Sequence, residues 1–365
     1  MNRFLFQEEG KSAIRLWSQT ARSCDPYVPG EQPRAKNIIK LNTNENPYPP
    51  SPRVLKALAA AVNGDLRLYP SPQAEELRIA IAEFYGMKPD QVFVGNGSDE
   101  LLAFSFLAFF NPGETVLFPD ITYSFYPVYA KLFHIDYEEV PLFDDFSMPV
   151  EKFFGAEGGV IFPNPNAPTG VYTPLEDVER ILRNNPDKPV IIDEAYIDFG
   201  GETAAKLIDR YDQLLVIQTF SKSRSIAGLR VGFALGNERL IEGLNRIKNS
   251  FNSYTVDRLA LIGAKAAIED VDYFTSTCRK IIRTRERVAA ELKAIGFQVT
   301  DSKANFLFVK HPRIPGRKLY EHLKERSIYV RHFDRPRIKD YIRVTIGTDE
   351  DMDAFLNGVS PPLLS

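Results

Sequence analysis

The sequence is short of the residues that build several common kinds of site. It holds two cysteines, Cys24 and Cys278, far apart and in no CxxC pair, and four scattered histidines. A disulfide framework and a structural zinc site are therefore not expected, and a reducing compartment is the natural setting. No long run of one charge occurs: 45 basic residues oppose 48 acidic ones, for a net charge of −3. Such balance argues against a non-specific nucleic-acid binder and against a basic membrane-surface module. No apolar run is long enough to span a bilayer, and the opening MNRFLFQEEG meets Glu8 and Glu9 after too brief an apolar stretch for a signal peptide. The acidic pair also speaks against a transit peptide. A cytoplasmic protein is expected, with KSAIRLWSQTARS as a candidate short amphipathic helix with a basic face. Internal repeats and low-complexity segments are missing as well.

What the chain does have is 44% hydrophobic content over 365 residues, enough to bury a large core. After the proline-rich NENPYPPSP (44–52), short apolar runs alternate with amphipathic stretches. Strands are predicted at QVFVG (91–95), TVLF (115–118), GVIF (159–162), PVIID (189–193), LLVIQT (214–219) and RVGFAL (230–235). Helices are predicted between them, for example at DELLAFSFLAFF (99–110) and LEDVERILRNN (175–185). Near-continuous apolar strands separated by helices imply an α/β fold, with a mostly parallel sheet covered on both faces. From about residue 256 two long helical patterns precede the short strands NFLFVK (305–310) and YIRVTI (341–346), as in a smaller α+β domain. The expected division is an N-terminal arm at 1–40, a large domain at 41–255 and a small C-terminal domain at 256–365.

In parallel sheets ligands bind beyond the carboxyl ends of the strands, so the first polar residues after each strand are the ones to inspect. GNGSDE (95–100) has two glycines that allow close backbone approach, then the N-cap types Ser98 and Asp99 opening a helix, a ready anion site. It is neither a Walker A loop nor a GxGxxG fingerprint, and alone it reads first as an ordinary capped turn. FPNPNAPTG (162–170) is a rigid turn bearing amides. IIDEAYIDF (191–199) puts Asp193 at a strand tip, where a desolvated carboxylate needs a cation or good donors, with the phenol of Tyr196 three residues on. QTFSKSRSIAGLRVG (218–232) sets Lys222 between Ser221 and Ser223, and Arg230 supplies a planar fork suited to a phosphate. Each feature alone has a plain structural reading. Together and in this order they match the needs of pyridoxal phosphate: a lysine to form an imine with its aldehyde, a carboxylate for its pyridine nitrogen, and donors for its phosphate.

On these stretches, and on PYVPGEQP (26–33), KLNTNENPY (40–48), RLYPSP (67–72), TYSFY (122–126), ANFLFV (304–309) and IRVTIGT (342–348), the chain resembles the fold-type I pyridoxal-phosphate aminotransferases, most closely the histidinol-phosphate aminotransferase family. The resemblance implies that Lys222 carries the cofactor and moves the proton at Cα, that Asp193 pairs with the pyridine nitrogen, and that Tyr196 donates to the ring oxygen O3′. It implies that Tyr123 stacks on the ring, that Asp99 is among the cofactor-binding residues, and that Gly97, Ser98, Ser221 and Arg230 bind the phosphate, joined by Tyr69 from the other subunit of a homodimer. Tyr27, Asn46, Arg331 and Arg343 are the implied substrate residues, the two arginines as an anion clamp. Two departures stand out. Where many relatives have asparagine before the proline of PTG, this chain has Ala167, which leaves Asn166 as the candidate amide for O3′; and NSFNSYT (249–255) departs near the substrate end.

The function this implies is transamination between L-histidinol phosphate and 2-oxoglutarate. The alternatives within the same fold are a broad aromatic aminotransferase and an O-phospho-amino-acid decarboxylase. A cofactor-binding regulator of this fold usually carries a fused DNA-binding domain, and the forty or so residues before the core hold no helix-turn-helix pattern and no basic surplus. No metal is expected.

Overall fold

A computed structural model describes residues 16–33 and 37–360. Part of the expected arm, including residues 11–15 of its candidate helix, and the last five residues of the C-terminal domain lie outside the described residues. Within them Gln19–Ser23 is a short helix, opened by Ser18, whose hydroxyl accepts from the Ala21 N–H at 3.1 Å.

In chain order the strands are β1 (Ile39–Lys40), β2 (Val92–Gly95), β3 (Val116–Pro119), β4 (Tyr137–Val140), β5 (Gly159–Pro163), β6 (Val190–Asp193), β7 (Leu214–Thr219), β8 (Gly232–Gly236), β9 (Gln298–Val299), β10 (Phe306–Lys310), β11 (Ile328–Tyr329), β12 (Arg331–His332) and β13 (Ile342–Thr345). Seven of them form the main sheet in the order β2-β8-β7-β6-β5-β3-β4. Only β8 in this sheet runs against its neighbours; the other pairings are parallel. Every residue of β2, β5, β6, β7 and β8 is buried, because helices cover both faces. Alternation along β6 divides the core: Val190 and Ile192 join Val54, Leu77 and Ile181 on one face, and Ile191 joins Leu101, Phe106 and Phe118 on the other. Truncating such a side chain, for instance Ile191→Ala, removes about 2–5 kcal/mol.

Local sequence explains the covering helices. In Leu175–Arg183 the buried Val178, Ile181 and Leu182 follow i, i+3, i+4 spacing, Glu176 and Asp177 sit in the first turn, and Arg180 and Arg183 in the last. Edge strand β4 was not foreseen. Its middle residues Glu138 and Glu139 are exposed, so it carries charge where an inner strand carries apolar residues, and charge there discourages further pairing.

The second sheet, β12-β13-β10-β9, is antiparallel and packs with helices Val271–Ala294, Gly316–Glu325 and Asp349–Val359 around Ile281, Leu292, Leu307, Val344 and Phe355. Packing leads us to divide the domains differently from the expected 255/256. Helix Arg258–Glu269 contributes Ala260, Ala264 and Ile268 to the large-domain core, whereas Leu41 lies in the small-domain core and β1 pairs with β11. An amphipathic pattern tells that a face is buried but not against which core. Among the described residues no helix is long and apolar enough to cross a membrane.

Candidate active site

A cleft of about 420 Å³ opens where the tips of the main sheet meet the small sheet. The reversed strand matters here. Because β8 runs against β7, the residue leading into it lies at the same edge as the carboxyl ends of β6 and β7. Arg230, two residues before β8, therefore joins Asp193 and Lys222 in lining one cleft.

Asp193 ends β6 and is 4% exposed. Its Oδ1 accepts from the Ala195 N–H at 3.2 Å and its Oδ2 from the Tyr126 hydroxyl at 3.2 Å. Burial, opposed by those two donors, pushes its pKa up to about 7. Its neighbour Glu194 accepts from Thr203, the Ala204 N–H and Gln218, and does not line the cleft. Lys222 Nζ donates to the Thr43 carbonyl at 3.0 Å. Burial, aided by the Arg343 charge and opposed by Glu45 and Asp99, brings its pKa down to about 8. The Lys222 ammonium lies 5.9 Å from the centre of the Tyr196 ring.

An anion cradle occupies one end. Helix Gly97–Phe109 begins there with N–H groups free of intrahelical partners. Arg230 reaches back over it, with Nη1 3.4 Å from Ser221 Oγ and Nη2 3.2 Å from Asp99 Oδ2. A Cβ at Gly97, whose φ is +76°, would lie 2.7 Å from Arg230 Nη2, so glycine is what lets helix and guanidinium close together. Tyr123 donates to Asp99 Oδ1 at 2.8 Å, and its ring lies 6.4 Å from that of Tyr27, which itself stacks on Phe125 at 4.3 Å.

The small domain supplies the opposite end. Arg331 and Arg343 are direct cross-strand partners on β12 and β13, so their side chains leave the sheet on one face. Arg343 sits 5.3 Å from the Phe306 ring and 5.6 Å from Phe333, with Nη2 donating to the Asn42 carbonyl at 3.0 Å; burial lowers its pKa. Arg331 Nη2 donates to the Val28 carbonyl at 3.3 Å.

Of the residues expected from sequence, Tyr27, Ser98, Asp99, Tyr123, Asp193, Tyr196, Ser221, Lys222, Arg230, Arg331 and Arg343 line this one cleft, and Gly97 backs it. Three do not. Asn46 Nδ2 donates to the Lys222 carbonyl at 2.9 Å and its Oδ1 accepts from the Tyr48 N–H, so its amide braces the lysine loop instead of facing substrate. Asn166 spends both amide hydrogens on the Ile121 carbonyl and Thr169 Oγ1, each at 2.9 Å, while Ala167 faces the cleft; its amide hydrogens are not available to O3′. Tyr69 is 79% exposed and stacks on Tyr254 at 4.7 Å, away from its own chain's cleft. The cleft also contains Asn44, which the sequence reading passed over in the same NTNEN stretch. Its Nδ2 donates to the Tyr196 hydroxyl at 2.9 Å. That occupies an acceptor position of the phenol and leaves its proton to point elsewhere.

This donor set fits pyridoxal phosphate. Asp193 is a buried carboxylate with only neutral donors, which a pyridinium would complement, and the Gly97–Arg230 cradle offers helix N–H groups, the Ser221 hydroxyl and a guanidinium to a phosphate.

The chain belongs to the family of class I and II aminotransferases, whose model matches residues 36–359. It is 56% identical to the histidinol-phosphate aminotransferase of Clostridium beijerinckii, over 94% of this chain and 96% of that one. Identity with histidinol-phosphate aminotransferase 1 of Oceanobacillus iheyensis is 55%, covering 94% and 97%. Among solved structures, the Sinorhizobium meliloti histidinol-phosphate aminotransferase in complex with pyridoxal-5′-phosphate aligns over 96% of this chain and 97% of its own, with a TM-score of 0.85 at 23% identity. The fold is accordingly the fold-type I architecture that the sequence led us to expect.

Proposed function

We propose that this chain transfers the amino group of L-histidinol phosphate to 2-oxoglutarate, giving imidazole acetol phosphate and L-glutamate in histidine biosynthesis, with pyridoxal phosphate as cofactor. The observation that carries the reading is a single cleft with an anion site at each end, Arg230 with the Gly97 helix start and Arg331 with Arg343, and one lysine amine between them. Near-full-length identity of 56% to a histidinol-phosphate aminotransferase selects the substrate.

Bound pyridoxal phosphate supplies an electron sink for the bond broken at the substrate Cα. The chain does the rest. Gly97, Ser98, Ser221 and Arg230 hold the phosphate, Asp193 the pyridine nitrogen, and Tyr123 the ring face, while Asp99 accepts from Tyr123 and Arg230 and so fixes both. Tyr196, its acceptor side occupied by Asn44, directs its proton to O3′. Lys222 anchors the cofactor and moves the proton at the substrate Cα. A pKa brought down to about 8 keeps a useful fraction of that amine neutral near neutral pH, which both tasks require. Arg331 and Arg343 bind the substrate phosphate in one half-reaction and a carboxylate in the other, because guanidinium forks suit either anion. Tyr27 borders the imidazole.

The working unit in this reading is a cytoplasmic homodimer. Tyr69 is exposed among the exposed apolar residues Leu66, Leu68, Phe251 and Tyr254, a surface a second copy would cover while delivering Tyr69 to the neighbouring phosphate site. Two free cysteines suit a reducing compartment. Neither nucleic acid nor a membrane enters the scheme.

The test is the visible spectrum of the cofactor-loaded protein. L-histidinol phosphate alone should convert the lysine-linked absorbance to that of the amine form, and 2-oxoglutarate should restore it. A band that ignores L-histidinol phosphate would sink the substrate; release of carbon dioxide without consumption of the oxo acid would make the chain a decarboxylase.

A further inference from the structure

Two residues past Lys222 lies a charged side chain that the cleft chemistry does not use. Arg224 is 7% exposed. Its guanidinium carbon sits 3.5 Å from the centre of the Phe274 ring and 4.8 Å from that of Phe84, and the two rings meet edge to face at 6.2 Å. Its Nη1 donates to the Ala267 carbonyl at 3.1 Å. Ala267 is in the last turn of helix Arg258–Glu269, where carbonyls have no intrahelical partner and a cation also complements the negative end of the dipole.

These partners lie on both sides of the joint between the domains. Ala267 belongs to the large-domain core, whereas Phe274, in the first turn of helix Val271–Ala294, packs on the small-domain core. Asp270, between the two helices, caps the second by accepting from the Tyr273 N–H at 3.4 Å.

Packing alone does not account for the charge. A desolvated guanidinium without a paired carboxylate costs several kcal/mol. Cation–π contacts return about 2 kcal/mol at such a site. Asp198, the acidic group that most favours the cation, accepts at Oδ2 from the Ser223 hydroxyl at 2.5 Å. Methionine or leucine would fill the space without that penalty. Meanwhile the loop itself is fixed at each residue: Asn46 donates to the carbonyls of Lys222 at 2.9 Å and Ser223 at 3.4 Å, Ser223 bonds Asp198, and Arg224 reaches the joint.

We propose that Arg224 is a positioning residue that ties the lysine-bearing loop to the domain joint, so that the placement of the small domain, and with it Arg331 and Arg343, sets the placement of the Lys222 amine. The proposal rests on Lys222 being the reacting amine. A shift of the first turn of Val271–Ala294 moves Phe274, then Arg224, and only Ser223 separates Arg224 from the lysine. The charged groups acting on Lys222 itself are Arg343, Glu45, Asp99 and Arg230; the titratable groups facing Arg224 are the carboxylates Asp198 and Asp270 and the buried, neutral Tyr85 and Cys278. Substituting Arg224 leaves all of these in the chain.

The experiment uses the loaded enzyme carrying Arg224→Met or Arg224→Lys. Three readouts are taken: the pH midpoint of the lysine-linked absorbance, kcat and KM for L-histidinol phosphate, and the melting temperature. Arg224→Met should move the midpoint by about half a pH unit or more. It should also lower kcat roughly tenfold with KM changed less than about twofold, because a misplaced amine slows the chemical step more than binding. Arg224→Lys should recover most of both. A lower melting temperature with midpoint and kcat unchanged would show a packing role only and overturn the proposal. Should Arg224→Met fail to fold, Phe274→Leu keeps the charge, removes the small-domain ring and decides by the same two readouts. A parent protein without any lysine-linked absorbance would overturn the assignment of Lys222 itself, a separate result that the Lys222→Ala variant also reports.

Discussion

The two ends of the cleft hold their arginines in different ways. At the strand tips Arg230 itself takes a left-handed backbone, φ +53°, between two strands, with Ser221 and Asp99 as side-chain partners beside a helix start. At the small-domain end, among the described residues, Arg331 and Arg343 donate to backbone carbonyls, of Val28 and Asn42, and lie against the rings of Phe306 and Phe333. The first arrangement is specific to one anion geometry and shares its acceptors with the lysine loop. The second leaves the guanidinium forks free of carboxylates, so anions of different shape can use them in turn. A permanent cofactor suits the first end and alternating substrates the second.

The largest expected effect comes from removing the group between them: Lys222→Ala should lower turnover about 10,000-fold or more while circular dichroism stays native. Asp193→Ala sharpens the strand-tip half, since a pyridinium left without its buried partner should weaken cofactor binding by about a hundredfold in equilibrium dialysis. Arg343→Gln tests the other half: KM for both substrates should rise roughly thirtyfold with cofactor affinity unchanged. Equal loss of cofactor there would erase the distinction between the ends. Asn44→Ala should cost about fivefold in kcat through the loosened Tyr196 hydroxyl.

The smallest effect is on stability. Asp193 ionises near 3.8 when exposed but near about 7 in the folded chain. Between those values the folded state holds the extra proton, so this group makes stability fall as pH rises through that window. In the cofactor-free protein Asp193→Asn should flatten that fall, read as a melting-temperature gain over the parent that is larger at about pH 8 than at about pH 5. An equal gain at both would mean the carboxylate is ionised throughout.

Much of the strand-tip end was legible in the sequence because an apolar run followed by a polar residue marks where a buried strand stops. Asp193 satisfies that rule at the end of β6, while Ser221 and Lys222 follow β7, whose last two residues Gln218 and Thr219 are already polar. What escaped depends on direction instead of composition. Asn44 and Asn46 are the same side chain two residues apart, and only the left-handed backbone at Asn44, φ +57°, turns one to the cleft and leaves the other to brace the loop. Asn166 likewise has the right chemistry, but its amide is claimed by Ile121 and Thr169. Arg331 and Arg343 were visible only through the resemblance, since cross-strand register has no one-dimensional sign.

The pairing of β1 with β11 has a consequence for how the molecule is made. Ile39 emerges from the ribosome long before its partner Ile328. The large sheet can assemble once β8 is complete, while the segment from β1 through Leu41 waits for its core. Loss of the final helix Asp349–Val359, with Phe355 and Val359, would thus also unfasten residues near the beginning. The small domain is therefore a clasp that closes only after both the segment around Leu41 and the much later small-domain elements have been made.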